Sequence, residues 1–323
     1  MERKVKITGT GSYVPPTIYS NEKIKSICPD TNPEWTYNTL GIKERHITTT
    51  ECTSDLAVEA ARRAMDDSGI YEPDFLMVAT ATPDRIAPST ACILQHKLGL
   101  KCPAFDMNAV CSGFLYGMEI ARQFIESGNY KNILVIGADN FSKITDWNRR
   151  DCVFFGDGAG AAMLSASPEE GFIHAKLYAN GQGAEAWTVP AGGSEMPSSS
   201  ETVAARLHYY FMHGRMVYDT ATTELPKAIK ETLSEAGLSL NDINHVIPHQ
   251  PSIGILKETA KRLNVPFEKF HTNMDKYANT SAATIPILLD EVKRGNKIKK
   301  NEIVLFAAMG SGWTWGASLY RWI

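Results

Sequence analysis

Apolar residues along this chain fall into two patterns, short continuous runs and longer amphipathic stretches. The short runs predict buried strands at residues 5–9, 75–81, 104–110, 132–138, 153–155, 161–165, 244–248, 302–308 and 315–321. Apolar positions spaced by three or four residues predict helices at 53–65, 88–98, 111–127, 216–236, 253–263 and 281–293. Strands and helices therefore alternate, which is the order that gives an α/β fold with a mostly parallel, covered sheet.

The second half of the chain follows the same order of elements as the first. The run at 75–81 holds the same position in the order of the first half as the run at 244–248 holds in the second half. NILVIGAD at 132–139 corresponds in the same way to EIVLFAAM at 302–309. The parallel lies in the order of elements and not in residue identity, and it predicts two similar α/β halves. We place the two domains at residues 1–170 and 171–323.

Length, charge and cysteine content narrow the class of protein. The 323 residues are 43% hydrophobic, enough for a large core, and the net charge of −3 gives no general attraction to nucleic acid. Residues 1–15 lack the apolar core of a signal peptide, and no apolar run is long enough to span a membrane. The six cysteines are scattered without a CxxC pair, so we expect free thiols, no metal site and a cytoplasmic location.

Cys111 is the first candidate for chemistry. The predicted strand at 104–110 delivers it to the first turn of the predicted helix at 111–127, which ends at Gly128. Free backbone N–H groups and the helix dipole at that end favour a thiolate, so Cys111 is a candidate nucleophile. The other interpretation is a small core residue that happens to precede a helix, and a cysteine taken alone favours it.

Three further motifs carry polar groups at the ends of predicted elements. His249 and Gln250 follow the strand at 244–248, where ligand sites form in parallel sheets, although a histidine there can also be purely structural. Asn279 precedes a helix and, taken alone, is more often a cap. The turn at 310–312 can aim a backbone N–H at a developing oxyanion, or it can be an ordinary hairpin turn.

Taken together and in order, these motifs resemble those of the β-ketoacyl-acyl-carrier-protein synthase III family, within the thiolase-fold condensing enzymes. The matching stretches are NAVCSGF at 108–114, FGDGAGA at 155–161, PHQ at 248–250, NTSAA at 279–283 and GSGWTWG at 310–316. Each motif is weak singly, but the ordered set is specific and spans nearly the whole chain. The resemblance implies a thiolase-like fold of two similar α-β-α halves with mostly parallel mixed sheets.

The same resemblance implies a catalytic triad of Cys111, His249 and Asn279. Cys111 would take an acyl group from a thioester of coenzyme A or an acyl carrier protein, with the N–H groups of Cys111 and Ser311 as the oxyanion hole. His249 and Asn279 would donate hydrogen bonds to a malonyl-type thioester, whose decarboxylation drives a Claisen condensation to a β-ketoacyl product. The setting would be fatty acid initiation or a specialised polyketide or lipid pathway. A homodimer without resident cofactor or metal is implied, acting on coenzyme A or phosphopantetheine thioesters.

Substrate contacts are also implied, and here the chain departs from the family pattern. Trp35 and Arg149 match the residues that hold the adenine of coenzyme A, and Gln250 and Ser252 are assigned to the same channel. Ala87 stands where the family often has an aromatic residue that closes the partner subunit's acyl pocket. Three positions at which the family usually carries a basic residue for binding coenzyme A or the carrier protein are Thr39, Asp219 and Gly254 in this chain. We therefore expect medium-chain or branched starters to load better than acetyl.

Two other functions stay open at this point. A cysteine acyltransferase or thioesterase of the same fold would form the acyl-enzyme without decarboxylation. A catalytically silent subunit would usually lack the cysteine that this chain retains. A proton-abstracting thiolase is disfavoured because the loop at 309–316 carries no second cysteine. The glycine-rich stretch FGDGAG is predicted to form a turn between the strands at 153–155 and 161–165. It does not precede a predicted helix as a dinucleotide-binding loop would.

Overall fold

The computed structural model describes residues 3–323. Its strands are β1 (Lys4–Tyr13), β2 (Ile18–Ser20), β3 (Glu44–His46), β4 (Phe75–Ala79), β5 (Ala104–Met107), β6 (Asn132–Asn140), β7 (Asp157–Ser167), β8 (Phe172–Ala179), β9 (Trp187–Thr188), β10 (Phe211–Met212), β11 (His245–Pro248), β12 (Ile303–Gly310) and β13 (Thr314–Arg321). Its helices are α1 (Asn21–Ile27), α2 (Pro33–Trp35), α3 (Thr53–Ser68), α4 (Thr90–Leu98), α5 (Gly113–Glu126), α6 (Ser200–Ala204), α7 (Gly214–Glu235), α8 (Ile253–Leu263), α9 (Met274–Tyr277) and α10 (Thr284–Arg294). Short 3₁₀ turns at Val110–Ser112 and Ser281–Ala283 lead directly into α5 and α10.

The two large sheets of the described chain share one strand order. The first sheet runs β1-β7-β6-β4-β5 and the second runs β8-β13-β12-β11. β4 pairs in parallel with β6 as β11 does with β12, while β7 and β13 run antiparallel to both of their neighbours. In the first sheet β5 pairs in parallel with β4. In the second sheet the corresponding strand is reduced to one parallel bridge between Val246 and Phe270. The predicted pair of similar α/β halves is confirmed.

Parallel pairing is less dominant in these mixed sheets than the sequence pattern predicted. β12 and β13 are joined by a short turn at 311–313, and a short turn can return a strand only in the antiparallel direction. The chain leaves the first sheet at Ser167 and enters the second at Phe172. The domain limits of 1–170 and 171–323 stay a prediction, and residues 1 and 2 lie outside the described part.

Helices cover both sheets, so residues 3–323 stack in five layers, α-β-α-β-α. α3 and α4 pack on the outer face of the first sheet, and α7 and α8 pack on the outer face of the second. α5 and α10 lie between the sheets and share a single hydrophobic cluster with both. Full burial of a large apolar side chain such as Phe114 or Leu288 contributes about 1.5–3 kcal/mol relative to exposure. No helix in this part of the chain is both long and apolar enough to cross a membrane.

The glycine-rich stretch at 155–161 is not the turn between two short strands that the sequence predicted. Arg150–Val153 forms a 3₁₀ turn, and the glycines run into the single long strand β7. A Cβ at Gly160 would lie 2.7 Å from Ile287 N and 2.7 Å from Pro286 Cβ, closer than real side chains approach. The glycines therefore serve the close packing of α10 on β7, and not a change of chain direction.

Candidate active site

Four polar groups from distant parts of the chain meet in one small cavity. This inner cavity, of about 70 Å³, is lined by Cys111, His249, Asn279 and Ser311. Cys111 lies in the turn before α5, Asn279 in the loop before α10, His249 directly after β11, and Ser311 in the turn after β12. The structure thus brings together the residues that the sequence assigned to the chemistry. Most of the remaining wall is apolar, formed by Phe141, Phe155, Trp187, Met212, Met309 and Trp313.

Cys111 is carried by a strained turn. Val110, just before it, has a φ of 45°, a left-handed conformation that costs a β-branched residue on the order of 1–3 kcal/mol. Gly310 packs against this turn so closely that a Cβ there would lie 2.7 Å from Ala109 O and 2.9 Å from Cys111 N. Only glycine fits at that position, and the contact places the turn after β12 directly against the backbone of Cys111.

Burial keeps the Cys111 thiol protonated at rest. Together with the nearby Asp139 side chain, burial raises the pKa of Cys111 to about 12, although the Ser281 hydroxyl and the Asn279 amide act in the opposite direction. The thiolate expected from the helix dipole is therefore not the resting state. A dipole contributes at most about 2 kcal/mol, and the loss of hydration outweighs it. Acyl transfer to this sulfur needs a group that accepts its proton.

His249 is the group in the inner cavity that can accept a proton. Its backbone N–H donates to Ala307 O at 2.8 Å, which continues the pairing of β11 with β12. Its ring Nδ1 lies 2.8 Å from Thr284 Oγ1. Burial lowers the pKa of His249 to about 3, so the imidazole is neutral at neutral pH. A neutral thiol and a neutral imidazole therefore share the cavity.

Asn279 is held so that its NH₂ group is available to a substrate. Its backbone N–H donates to Phe154 O at 3.1 Å, and its carbonyl accepts from Gly156 N at 3.0 Å. Its side-chain Oδ1 accepts from Ser281 N at 2.8 Å. Because this bond fixes which end of the amide is the oxygen, the Nδ2 donors are the end left for the cavity.

The turn at Ser311 is the second part of the predicted oxyanion hole, beside the N–H of Cys111. The Ser311 hydroxyl donates to Trp187 O at 2.6 Å, which anchors the turn to the cavity wall. Within residues 3–323, no backbone oxygen accepts a hydrogen bond from the Ser311 N–H. A Cβ added at Gly310, the residue before Ser311, would lie 2.9 Å from Cys111 N. The N–H groups of Ser311 and Cys111 therefore belong to two stretches of backbone that pack against each other, and they are the candidates for binding a thioester carbonyl oxygen.

A wider outer cavity, of about 820 Å³, leads to the inner one, and Trp35, Arg149 and Ser252 line it. The exposed Trp35 ring is free to stack, whereas the Arg149 guanidinium lies 4.5 Å from the centroid of the Phe211 ring and pairs with Asp151. Ser252 caps α8 with its hydroxyl. The two cavities share Phe155, Met212, Val217, Pro251, Ile255 and Asn279.

Two residues that the sequence assigned to substrate binding line neither cavity of this chain. The buried Gln250 amide donates to Pro248 O at 3.0 Å and accepts from Asn273 N at 3.2 Å, so it braces the loop that follows His249. Ala87 lies on an exposed loop before α4. Its predicted position at the acyl pocket concerns a second subunit and stays a prediction.

Two buried groups beside the site were not among the predicted residues. Asp139, at the end of β6, is 0% exposed, and its carboxyl group accepts hydrogen bonds from Thr82 N and Oγ1 and from Ala282 N. Asp139 therefore connects the loop after β4 to the turn before α10. Burial raises the pKa of its carboxyl group. Asp139 could have been predicted as a residue beside the site, because an acidic side chain directly after an apolar run is unusual. Thr284, which contacts His249, carries no signal beyond that of an ordinary helix-start threonine.

Comparison with known proteins groups these features with those of one enzyme family. The family model described as 3-oxoacyl-[acyl-carrier-protein (ACP)] synthase III matches residues 105–181, and the model of its C-terminal part matches residues 233–322. The chain is 46% identical over 322 residues to the beta-ketoacyl-[acyl-carrier-protein] synthase III of Caldanaerobacter subterraneus subsp. tengcongensis, a match that covers 98% of this chain and 97% of that protein.

Solved structures show the same fold over nearly the full length. The 3-oxoacyl-[acyl-carrier-protein] synthase III from Aquifex aeolicus VF5 is 39% identical, with a TM-score of 0.91, and the match covers 98% of this chain and 100% of that chain. The priming beta-ketosynthase from the R1128 polyketide biosynthetic pathway is 27% identical, with a TM-score of 0.92 and coverage of 99% and 97%. The predicted thiolase-like fold is confirmed.

Proposed function

Because this chain belongs to the 3-oxoacyl-[acyl-carrier-protein] synthase III family, we propose that it is a condensing acyltransferase that begins an acyl chain. It loads an acyl group onto Cys111 and then condenses that group with a malonyl-type thioester to a β-ketoacyl product. The observation that carries this function is the convergence of Cys111, His249, Asn279 and Ser311 on one cavity.

In the loading step, Cys111 Sγ attacks the carbonyl carbon of an acyl thioester. Burial raises the pKa of the Cys111 thiol, so its proton leaves while the S–C bond forms. The N–H groups of Cys111 and Ser311 receive the charge that develops on the carbonyl oxygen. When the intermediate collapses, the donor's C–S bond breaks, and its sulfur departs as a thiol with the proton that Cys111 gave up.

In the condensation step, a malonyl-type thioester occupies the place of the departed thiol. Asn279 Nδ2 and His249 donate hydrogen bonds to its thioester oxygen. Loss of CO₂ leaves an electron pair on the α-carbon as an enolate, and the hydrogen bonds stabilise its negative oxygen. This carbon attacks the acyl group on Cys111, a C–C bond forms and the S–C bond breaks. The Cys111 sulfur leaves as a thiolate, which takes up one proton from solvent to restore the resting thiol. No C–H proton has to be removed, so the step needs no strong base.

The dimensions of the two cavities guide the choice of substrates. The outer cavity, at about 820 Å³ and with Trp35 in its wall, suits the pantetheine arm of coenzyme A or of an acyl carrier protein. The inner cavity of about 70 Å³ is smaller than the roughly 150 Å³ that hold benzene in a protein core. We infer that a starter longer than a few carbons extends into space bounded by a second subunit. Ala87 would leave room there, and this supports medium-chain or branched starters.

A homodimer is part of this proposal. β5 is the outer strand of the first sheet, and an outer strand presents unpaired backbone groups to which a second copy can add. Ile86, next to Ala87, is 91% exposed and gives an apolar surface that a subunit interface would cover. We also propose a cytoplasmic location, since the chemistry requires a reduced thiol. We propose that the enzyme holds no resident cofactor or metal, since both steps balance without one.

The function is tested by following both steps on the same protein. Intact mass should show one acyl group after incubation with a panel of acyl-coenzyme A and acyl-carrier thioesters. Added malonyl thioester should then release CO₂ and yield the β-ketoacyl product. Cys111→Ala should abolish loading, whereas Cys92→Ala, at an exposed cysteine, should not. A mass shift that survives Cys111→Ala would overturn the nucleophile, and loading without CO₂ release would favour a thioesterase or another acyltransferase.

A further inference from the structure

Charged side chains are few in the wall of the outer cavity. Within residues 3–323 they are Asp30, Arg149, Arg150 and Asp151. Two of the four are acidic and two are basic, so the wall as a whole has no net charge at neutral pH. A donor with a phosphopantetheine arm brings at least one negative phosphate, and phosphate is best held by a guanidinium that no carboxylate of the protein already neutralises.

Arg149 does not meet that requirement. Its Nη1 donates a hydrogen bond to Tyr210 O at 2.8 Å, and its Nη2 pairs with the carboxylate of Asp151. The guanidinium also lies 4.5 Å from the centroid of the Phe211 ring, which covers one of its faces. Position 39, where the family usually carries a basic residue, is the uncharged Thr39 in the same wall. Neither position therefore supplies a free cation for a phosphate.

Arg150 has the properties that Arg149 lacks. It is exposed and is the first residue of the 3₁₀ turn at 150–153. The backbone of that turn is held in place, because Arg149 N donates to Asp146 O and Cys152 N donates to Arg149 O, each at 3.0 Å. In the described part of the chain, no carboxylate pairs with the Arg150 side chain and no group accepts a hydrogen bond from it. Its five N–H donors are therefore available to a ligand in the outer cavity.

We propose that Arg150 binds the phosphate at the end of the donor's pantetheine arm and thereby determines which thioesters this enzyme accepts. This inference rests on the proposed function. Asn279 lines both cavities, whereas Trp35 and Arg150 line only the outer one. The thioester end of the arm thus lies at Asn279, and the phosphate end lies at Arg150. Coenzyme A and the prosthetic group of a carrier protein share this phosphate, so its recognition does not require an adenine.

Asp30 acts against Arg150. It is the other charged residue of the outer cavity for which residues 3–323 provide no ion pair. A carboxylate beside a bound phosphate repels it, so Asp30 weakens the binding of the donors that Arg150 favours. Removing either charge should change the affinity for phosphate-bearing donors, and the two changes should have opposite signs.

The test uses one acyl group on a series of donors: pantetheine, 4′-phosphopantetheine, dephospho-coenzyme A, coenzyme A and a carrier protein. Acyl loading of Cys111 gives kcat and KM for each donor. Wild type should prefer the phosphopantetheine thioester over the pantetheine thioester on the order of tenfold or more. Arg150→Gln should lose most of this preference through a higher KM, and it should lose much less with the pantetheine thioester. Arg150→Lys should keep part of the preference, since it keeps the charge without the planar fork, and Asp30→Asn should strengthen it.

Arg62→Gln is the matched control, because it removes the same charge from an exposed side chain on α3 that lines neither cavity. It should keep the preference of wild type. Equal losses in Arg62→Gln and Arg150→Gln would reduce the effect to general attraction and overturn the inference. The coenzyme A and carrier-protein donors separate the sources of the phosphate. A loss with both supports the shared phosphate, and a loss confined to donors with the 3′-phosphate of coenzyme A contradicts it.

Binding without turnover gives the second readout. Calorimetric titration with free 4′-phosphopantetheine and free pantetheine should show tighter binding of the phosphorylated form by wild type, and Arg150→Gln should lose this difference. Equal affinity of wild type for both compounds overturns the inference. A wild type that forms no acyl-Cys111 with any donor refutes the proposed function instead, and the titration still tests Arg150.

Discussion

Replacing Gly137 with alanine tests how far the Asn279 turn depends on the sheet beneath it. Gly137 lies in β6, and a Cβ there would overlap Ala282 O and lie 2.7 Å from Ala282 C. Atoms in normal contact are about 3.5–4.0 Å apart, so the 3₁₀ turn at 281–283 would have to move by roughly 1 Å. Overpacking of this kind costs about 1–3 kcal/mol of stability.

The displaced turn carries the groups that serve condensation. Ser281 N fixes the Asn279 amide through a 2.8 Å bond, and Thr284 follows directly after the turn. A shift of about 1 Å in a positioning group can cost on the order of a hundredfold in rate. We expect Gly137→Ala to lose condensation by that factor. Cys111 lies on the neighbouring turn, which only contacts the displaced one, so its alkylation by iodoacetamide should fall much less than condensation does.

The assay measures CO₂ release from a malonyl thioester by the acylated enzyme, with thermal unfolding and iodoacetamide alkylation of the same preparation. Gly181→Ala is the matched control, because no atom lies within 4 Å of a Cβ at that position. It should behave as wild type in all three measurements. A folded Gly137→Ala that releases CO₂ at the wild-type rate would refute the coupling between β6 and the turn, and equal losses of alkylation and CO₂ release would indicate general disruption.

Three further predictions concern single residues. Asn279→Ala should still load acyl groups but lose condensation on the order of a hundredfold, and equal loss of both steps would contradict the role of its amide. Burial lowers the pKa of His249 to about 3, below about 6.5 in the unfolded chain. The unfolded state therefore binds the extra proton, and stability falls as the pH drops from about 6.5 towards 3. His249→Gln should flatten that part of the pH dependence of thermal unfolding, and an unchanged slope would argue against a buried neutral ring. Ala87→Phe should shift loading towards short starters, since each buried CH₂ is worth about 0.8 kcal/mol; an unchanged ranking of acetyl against C6–C10 donors would count against it.

Elements with regular spacing and marked ends could be predicted almost to the residue. The helix predicted at 253–263 is α8, because Ser252 caps its start and its apolar residues lie on one face. α3 and α4 end at Gly69 and Gly99, whose φ values are 69° and 72°, the left-handed conformation that glycine favours after a helix. These signals are local, so they need no knowledge of tertiary packing.

Elements whose residues serve a distant neighbour could not be predicted in the same way. β8 was missed because it is an outer strand of the second sheet and most of its residues are half-buried, so its polar and apolar residues show little contrast. The glycines at 155–161 predicted a turn, but they leave room for α10. A run of glycines shows that space is needed and does not show whether a turn or a neighbouring helix needs it.

The residues of the candidate site could be predicted, whereas their protonation could not. The motifs at Cys111, His249 and Asn279 stand at strand ends and helix starts that the topology brings together. The resting thiol, however, depends on burial by several segments and on Asp139, which belongs to another strand. The helix dipole is visible in the sequence, but the loss of hydration that outweighs it is a property of the folded cavity.

The duplicated topology explains why the chemistry lies where it does. α5 and α10 occupy equivalent places in the two halves, and the turns that precede them, at 110–112 and 281–283, contact each other. Each helix start carries about half a positive charge, so both halves direct positive potential at one small apolar volume. The resting Cys111 and His249 in that volume are uncharged, whereas the oxyanion of loading and the enolate of condensation are negative. The fixed dipoles therefore interact weakly with the resting groups and strongly with the charges that form during reaction, which lowers the barriers without tightening the binding of the substrate.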